Sequence, residues 1–277
     1  GGFPSMSSLP LRVLPVLALT AILPLQGAMA ASLVPHKAEY TLSLKSAKQG
    51  SGIVSLRGTM SFTMADTCDG WAMENRTVMV MQQAEGEEIE TRWNFLTWEA
   101  KDGLSYRFRV RSLRDGEKVE EIEGRANLEA DGGQGRAQLT KPENKTIHLP
   151  KGTLFPAAHT LLLLAQAAKG KTNFQRLVFD GSSLDSPQEV SALIGAAKPA
   201  PVKAAGGGLA GHPLLARPSW PSHMAFFKAD GKDGLPSYEI SLRYFDNGIA
   251  DDVTEDYGNF TVRSTLSKLE PLPRPDC

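Results

Sequence analysis

Leu104, Tyr106, Phe108 and Val110 alternate with Ser105, Arg107, Arg109 and Arg111, a period of two that fits an extended strand with one buried and one wet face. The same alternation returns in Ala38, Tyr40, Leu42 and Leu44, in Ile89, Trp93 and Phe95, and in Ile122, Ala126 and Leu128. It continues in Tyr238, Ile240, Leu242 and Tyr244, then in Phe260, Val262 and Leu266. Between these runs stand turn dipeptides at Asp69-Gly70, Asp102-Gly103, Asp115-Gly116, Asp131-Gly132, Asp180-Gly181, Asp233-Gly234 and Asn247-Gly248. The chain is therefore predicted to run as successive antiparallel hairpins.

One hairpin tests its own register. A two-residue turn at Asp115-Gly116 sets Val110 opposite Glu121 and Phe108 opposite Glu123, which places apolar side chains against charges. A three-residue loop, Arg114-Asp115-Gly116, instead sets Phe108 opposite Ile122, Arg109 opposite Glu121 and Arg107 opposite Glu123. That register matches both faces and is the one predicted. The Arg row then reads as half of a solvated ladder of cross-strand ion pairs, each worth under about 1 kcal/mol, rather than a phosphate site.

The strand pattern breaks at Pro156 to Ala168, where Ala, Leu and Gln dominate, Pro156 suits a first turn and Gly170 follows the end. This is the one helix predicted. Leu161 to Leu164 make it apolar on all sides, so it is expected to lie buried within or against the sheet. Residues 196–218 hold Lys198-Pro199-Ala200-Pro201 and then Gly206-Gly207-Gly208, the composition of a flexible loop that packs little core. About 60 residues follow it, too few for a stable separate domain, so residues 31–277 are read as one unit.

The first thirty residues read as an address. Arg12 precedes an apolar run from Val13 to Leu25, and small residues at Ala28 and Ala30 suit cleavage. The run is broken by Pro15 and Pro24 and falls short of the about 20 residues that span a bilayer. Gly1 to Ser5 precede Met6 and read as a mis-set start or a cloning scar. A signal peptide over 1–30 with no lipid-accepting Cys after it implies a released, exported protein that does not span the membrane.

Export implies an oxidising compartment, and the chain carries two cysteines, Cys68 and Cys277. A bond between them is expected to tie the last residue back near the start, worth on the order of 5 kcal/mol as an upper bound. An intermolecular bridge or two free thiols are the competing readings. Neither cysteine lies in a C-x-x-C, so redox catalysis and zinc are poorly supported.

No catalytic constellation stands out, and no cofactor or metal is implied. His36, His148, His159, His212 and His223 include neither H-E-x-x-H nor an i, i+4 pair, and there is no G-x-S-x-G elbow. Asp251, Asp252, Glu255 and Asp256 lack the ligand spacing of a calcium loop and read as a solvated strand edge. Thirty basic against 31 acidic residues leave no bulk field for nucleic acid. Trp71, Trp93 and Trp220, with Met73, Met79 and Met81, read as core. Trp98 is out of phase with Trp93 and Phe95 and is the candidate binding surface on the opposite face.

Several segments together resemble the EipB family of cell-envelope integrity proteins. They are Cys68-Asp69-Gly70-Trp71, the run from Leu149 through Pro150-Lys151-Gly152-Thr153-Leu154-Phe155 to Pro156 with His159-Thr160 beyond it, Phe179-Asp180-Gly181-Ser182, Tyr244-Phe245-Asp246-Asn247-Gly248, and Pro273-Arg274-Pro275-Asp276-Cys277. The resemblance covers nearly all of the chain after residue 30; the 196–218 loop departs from it by its length. It implies a mainly β fold, an antiparallel β-spiral or open barrel-like sheet around one buried helix at 156–168, closed by a Cys68–Cys277 disulfide. It also implies a periplasmic, non-enzymatic protein of Gram-negative bacteria that supports envelope integrity and is linked to periplasmic TPR proteins. The architecture implied is similar to that of lipid and lipoprotein carriers, so an acyl chain held in the spiral is the alternative function. An envelope hydrolase is the third and weakest.

Overall fold

Fifteen strands join in one sheet whose order follows the chain, because nearly every connection is a short hairpin. The computed structural model describes residues 32–185, 187–200, 208–228 and 234–277. The signal segment expected over 1–30 and the Gly-rich centre of the 196–218 loop lie outside the described residues. The first half comprises β1 (His36–Ala47), β2 (Ile53–Asp66), β3 (Gly70–Gln83), β4 (Glu88–Ala100), β5 (Ser105–Arg114), β6 (Glu117–Leu128), β7 (Gly135–Lys141) and β8 (Lys145–Leu149). The short β9 (Thr153–Leu154) leads into α1 (Pro156–Ala168), and β10 (Asn173–Val178) returns parallel to β9. The helix is the crossover that such a parallel pair requires. The meander resumes with β11 (Gln188–Ile194), β12 (Ser219–Lys228), β13 (Tyr238–Phe245), β14 (Ala250–Asp256) and β15 (Phe260–Pro271).

β15 pairs antiparallel with β1, so the two halves meet through the ends of the sheet's own chain, and the sheet wraps into a nearly closed barrel with free edges at β8 and β9. Alternation decides which side faces in. Tyr106, Phe108 and Val110 on β5 are buried while Arg107, Arg109 and Arg111 are exposed.

The predicted register of the β5–β6 hairpin is wrong by two residues. Asp115 and Gly116, both at positive φ (51° and 85°), form a two-residue turn, and Arg114 pairs with Glu117. Two consecutive positive φ values suit the mirror-image turns that match strand twist, and glycine takes the second without penalty. The facing mismatch expected of that turn is removed by a bulge at Val119, which lies exposed between Lys118 and Glu120. Val110 then faces Ile122, Phe108 faces Gly124 and Arg109 faces Glu123, but Arg107 faces Arg125 rather than Glu123.

α1 begins at Pro156 and ends before a Gly170 at φ 75°. The Gly170 and Lys171 amides donate to the carbonyls of Ala167 and Gln166, the αL termination that glycine favours. Ala157, His159, Leu163, Leu164 and Ala167 are buried, and only Ala168 of the helix is exposed. The apolar interior falls into two main clusters. One packs Leu163, Leu164 and Ala167 against β1 and the second-half strands; the other packs Tyr106, Phe108 and Val110 around Phe155 and Phe179.

Cys68, in the β2–β3 turn, is bonded to Cys277, 209 residues away, with Cα atoms 5.7 Å apart. The tail runs back past the N-terminal segment, where the Leu272 amide donates to the Pro35 carbonyl. The described part of the 196–218 loop contributes more packing than its composition suggests. Turns at Gly208–Gly211 and Pro213–Leu215 lay Leu209, Leu214 and Leu215 against the core, and Lys198 bridges to Ser219.

Candidate functional site

Four inward positions of β2 and β3 are methionines that the barrel leaves incompletely covered. Met60, Met73, Met79 and Met81 share the inner face with Phe62 and with Trp93 of β4, and all six remain half-buried although they point inward. Met60, Phe62 and Met73 of these line a cavity of about 270 Å³. Met60, Met64, Met73 and Trp71 form one wall, Ile240, Leu242 and Tyr244 of β13 face them, and the first turn of α1 closes the end.

The floor holds a buried carboxylate, Glu99. It is 3% exposed, and its two oxygens accept from the Ala157 amide at 2.6 Å and the Ala158 amide at 2.8 Å. Phe155 at the N-cap has no side-chain acceptor, so a strand 58 residues earlier in sequence caps the helix. Burial pushes the Glu99 carboxyl up to about 7, and the two amides pull it back toward the charged form. Sequence reading missed Glu99, but two signals were present: a charge in the buried phase of β4, and a helix start without Ser, Thr, Asp or Asn.

His36 and Tyr40 of β1 also line the cavity. The His36 Nδ1 lies 2.8 Å from the Val34 carbonyl, and burial pushes its pKa down. Tyr40 donates its hydroxyl to the Ala250 carbonyl at 2.7 Å. His159, deeper on α1, has no partner for Nε2 among the described residues, and burial, with Arg176 near, pushes it down to about 4. A carboxylate held by helix amides in an apolar, methionine-walled space suits binding of an apolar group. Among the described residues that line it there is no serine or cysteine.

The other expected sites separate. Trp98 lies on the outer face as its phase predicts, half-buried, donating from Nε1 to Thr67 Oγ1 at 3.0 Å, with the Arg107 guanidinium 4.9 Å from its ring. The outer ladder forms around Glu121, which pairs with Lys118 at 2.8 Å, Lys141 at 3.0 Å and Arg109 at 3.1 Å. These three cations pull its carboxyl down to about 2. Within the acidic stretch of β14, Asp251 is held by Arg243, and Glu255 accepts from the Tyr238 hydroxyl at 2.6 Å. Among the described residues no cluster of His, Cys, Asp and Glu is placed to hold a metal ion, and no helix is long and apolar enough to cross a membrane.

The "Cell envelope integrity protein EipB" of Brucella abortus (strain 2308) is 34% identical to this chain over 246 residues, 88% of this chain and 86% of that protein. A crystal structure from Brucella abortus, of a β-barrel-like protein of a domain of unknown function, superimposes with a TM-score of 0.78 at 33% identity. The match covers 88% of this chain and all of that one. The EipB-like family pattern matches residues 27–273, close to the whole span of the barrel and its tail, and the chain belongs to the EipB-like family.

Proposed function

We propose that this protein maintains cell-envelope integrity by non-catalytic binding, and that its interior cavity holds an apolar segment of an envelope component. The observation that carries this reading is that the half-covered Met60 and Met73, with buried Met64, line a cavity closed by the capped first turn of the helix. Methionine is flexible and polarizable, and surfaces rich in it adapt to varied apolar partners. A volume of about 270 Å³ sits just below the range of roughly 300–1,000 Å³ usual for ligand sites, so it suits the end of an acyl chain rather than a whole lipid. Export to the periplasm through residues 1–30 belongs to the same reading, as does the periplasmic TPR protein that the family resemblance adds as a partner; cell fractionation and co-purification test these two.

The cavity is tested with the disulfide-bonded mature chain. Native mass spectrometry after gentle purification is expected to show a bound species in the mass range of fatty acids or lipids. A fluorescent fatty acid is expected to bind the parent and to be excluded by Met73→Trp, which fills the cavity. Consistently empty protein, or a Met73→Trp variant that binds as the parent does, overturns the acyl reading. A deletion strain with unchanged sensitivity to detergent and cell-wall antibiotics overturns the integrity role itself.

A further inference from the structure

The outer face of β5–β8 carries charges in two different states. At one end Arg109, Lys118 and Lys141 surround Glu121, and Lys141 also reaches Glu123 at 3.4 Å. Glu121 and Glu123 are both engaged there. Toward the other end of the same strands, Arg107 stands directly opposite Arg125 across the β5–β6 pair. Like charges in directly opposed positions are destabilising, and a hairpin gains nothing from them by itself. Among the described residues neither has a carboxylate within ion-pair distance. Arg125 donates from Nε to the Gln138 amide oxygen at 3.1 Å, and Arg107 lies over the Trp98 ring. A guanidinium held by its face or by one nitrogen keeps its remaining N–H groups free in the ring plane.

These two arginines sit in a groove. Recesses of about 880 Å³ and 900 Å³ on the outer surface share Arg107, Arg125, Gln138 and Thr146, and so form one continuous channel. Trp98 bounds it on the β4 side, and Arg136 and His148 lie toward its far end. Its carboxylates are Glu123, already held by Arg109 and Lys141, and Glu129, which accepts from Gln134. The channel therefore has an excess of unopposed guanidinium groups although the whole chain is nearly neutral.

We propose that this groove docks an acidic segment of a partner protein, whose carboxylates lie between Arg107, Arg125 and Arg136 with Trp98 as a flat apolar wall. Arginine forks match carboxylates bidentately, and such pairs are the strong charge-assisted hydrogen bonds. The polar neighbours Gln138 and Thr146 suit the backbone and side chains of a peptide. A membrane surface fits less well, because the cations line a recess and Trp98 lies flat under Arg107, whereas interfacial binding exposes apolar side chains to insert. The groove is on the opposite face of the sheet from the methionine cavity, and the two readings stand or fall separately.

The probe is a fluorescently labelled peptide of alternating Glu and Ser, titrated against the disulfide-bonded mature protein. Phosphatidylglycerol vesicles, inorganic phosphate and a Gln-for-Glu peptide form the comparison arms. The acidic peptide is expected to bind, more weakly as salt rises, and the double variant Arg107→Gln, Arg125→Gln is expected to weaken it about tenfold or more. Removal of an unpaired like-charge contact leaves the melting temperature of that variant unchanged or raised. Arg136→Gln, at the channel's end, gives a smaller loss, and Arg57→Gln with Arg92→Gln, on β2 and β4 outside the groove, gives none. No binding by the parent, equal binding by the double variant, or binding of vesicles or phosphate in place of the peptide overturns the proposal.

Discussion

The two apolar clusters lie inside the same sheet and arise from the same alternation, yet they are finished differently. Around Phe155, rings stack closely: Tyr106 and Phe155 have centroids 5.0 Å apart, and Phe179 meets Phe108 edge-on at 5.4 Å. Small inward residues, Ala126 and Ala137, leave room for those rings, and each named residue is essentially inaccessible. On β2 and β3 the inward positions include Met60, Met79 and Met81, which pack half-covered against the other cluster, and Met60 borders a cavity. A filled aromatic cluster sets a unique geometry, while a loosely covered methionine wall can repack. The contrast locates stability at one side of the barrel and adaptability at the other.

Truncation is the bluntest way to break that contrast. Phe155→Ala is expected to cost about 3–5 kcal/mol, as for large aromatic cavities in packed cores. Met60→Ala, at a half-covered site packed against the other cluster, is expected to cost well under half of that. Thermal or denaturant unfolding measures both, and equal losses would mean that the two interiors are equivalent. Loss of the disulfide comes next. Cys277→Ser is expected to cost about 2–5 kcal/mol because the bond closes a loop of most of the chain. Cys68 sits at the β2–β3 turn beside Trp71, so hydrogen exchange is expected to quicken first on β2 and β3, with β5 to β8 unchanged. Uniform loosening would show that the staple holds the barrel as a whole rather than its adaptable wall.

The two buried ionisable groups along α1 give an intermediate effect, and their signs oppose. Glu99 has its carboxyl raised from 4.5 to about 7, so its contribution is complete below pH 4.5 and lost as pH rises through 7. His159 is lowered from 6.5 to about 4, so its contribution is complete above pH 6.5 and lost as pH falls through 4. Each shift corresponds to about 3 kcal/mol. His36, also lowered by burial, acts with His159, and buried Asp180, raised by burial, acts with Glu99. The parent's stability is therefore expected to be nearly flat between pH 4.5 and 6.5. Glu99→Gln should gain stability with rising pH over that window, and His159→Phe should lose it; melting curves that stay flat in both variants refute the assignment.

Local signals were legible in the sequence and distant ones were not. Pro156 and Gly170 mark the helix ends because a missing amide and an αL residue act within one turn, and the helix runs from Pro156 to Ala168 as predicted. The strand faces were legible for the same reason: Phe108 and Arg109 take opposite sides wherever their partners lie. Register was not, since the bulge at Val119 moves every pairing beyond it by one residue while leaving both faces matched. That shift is what sets Arg107 against Arg125, the feature from which the outer groove is inferred. Glu99 escaped notice because its amide partners lie on an element that only the closed sheet brings near. Coverage was equally hidden: Met73 and Phe108 both sit in inward phase, and only the curvature of the barrel decides that one is sealed and the other is not.

The smallest expected effect probes that last distinction most finely. Met60→Leu combined with Met73→Leu conserves apolar character and nearly conserves volume, so it should change stability by under about 1.5 kcal/mol. Leucine is branched and has fewer rotatable bonds than the methionine it replaces, so the wall loses adaptability while keeping its hydrophobicity. Across fluorescent fatty acids of increasing chain length, the parent is expected to bind several with similar affinity, and the double variant only a narrow subset. An unchanged range of affinities would mean that the cavity's rigid members, Tyr40, Trp71 and the first turn of α1, already set its shape, and that the methionines are filler rather than an adaptable surface.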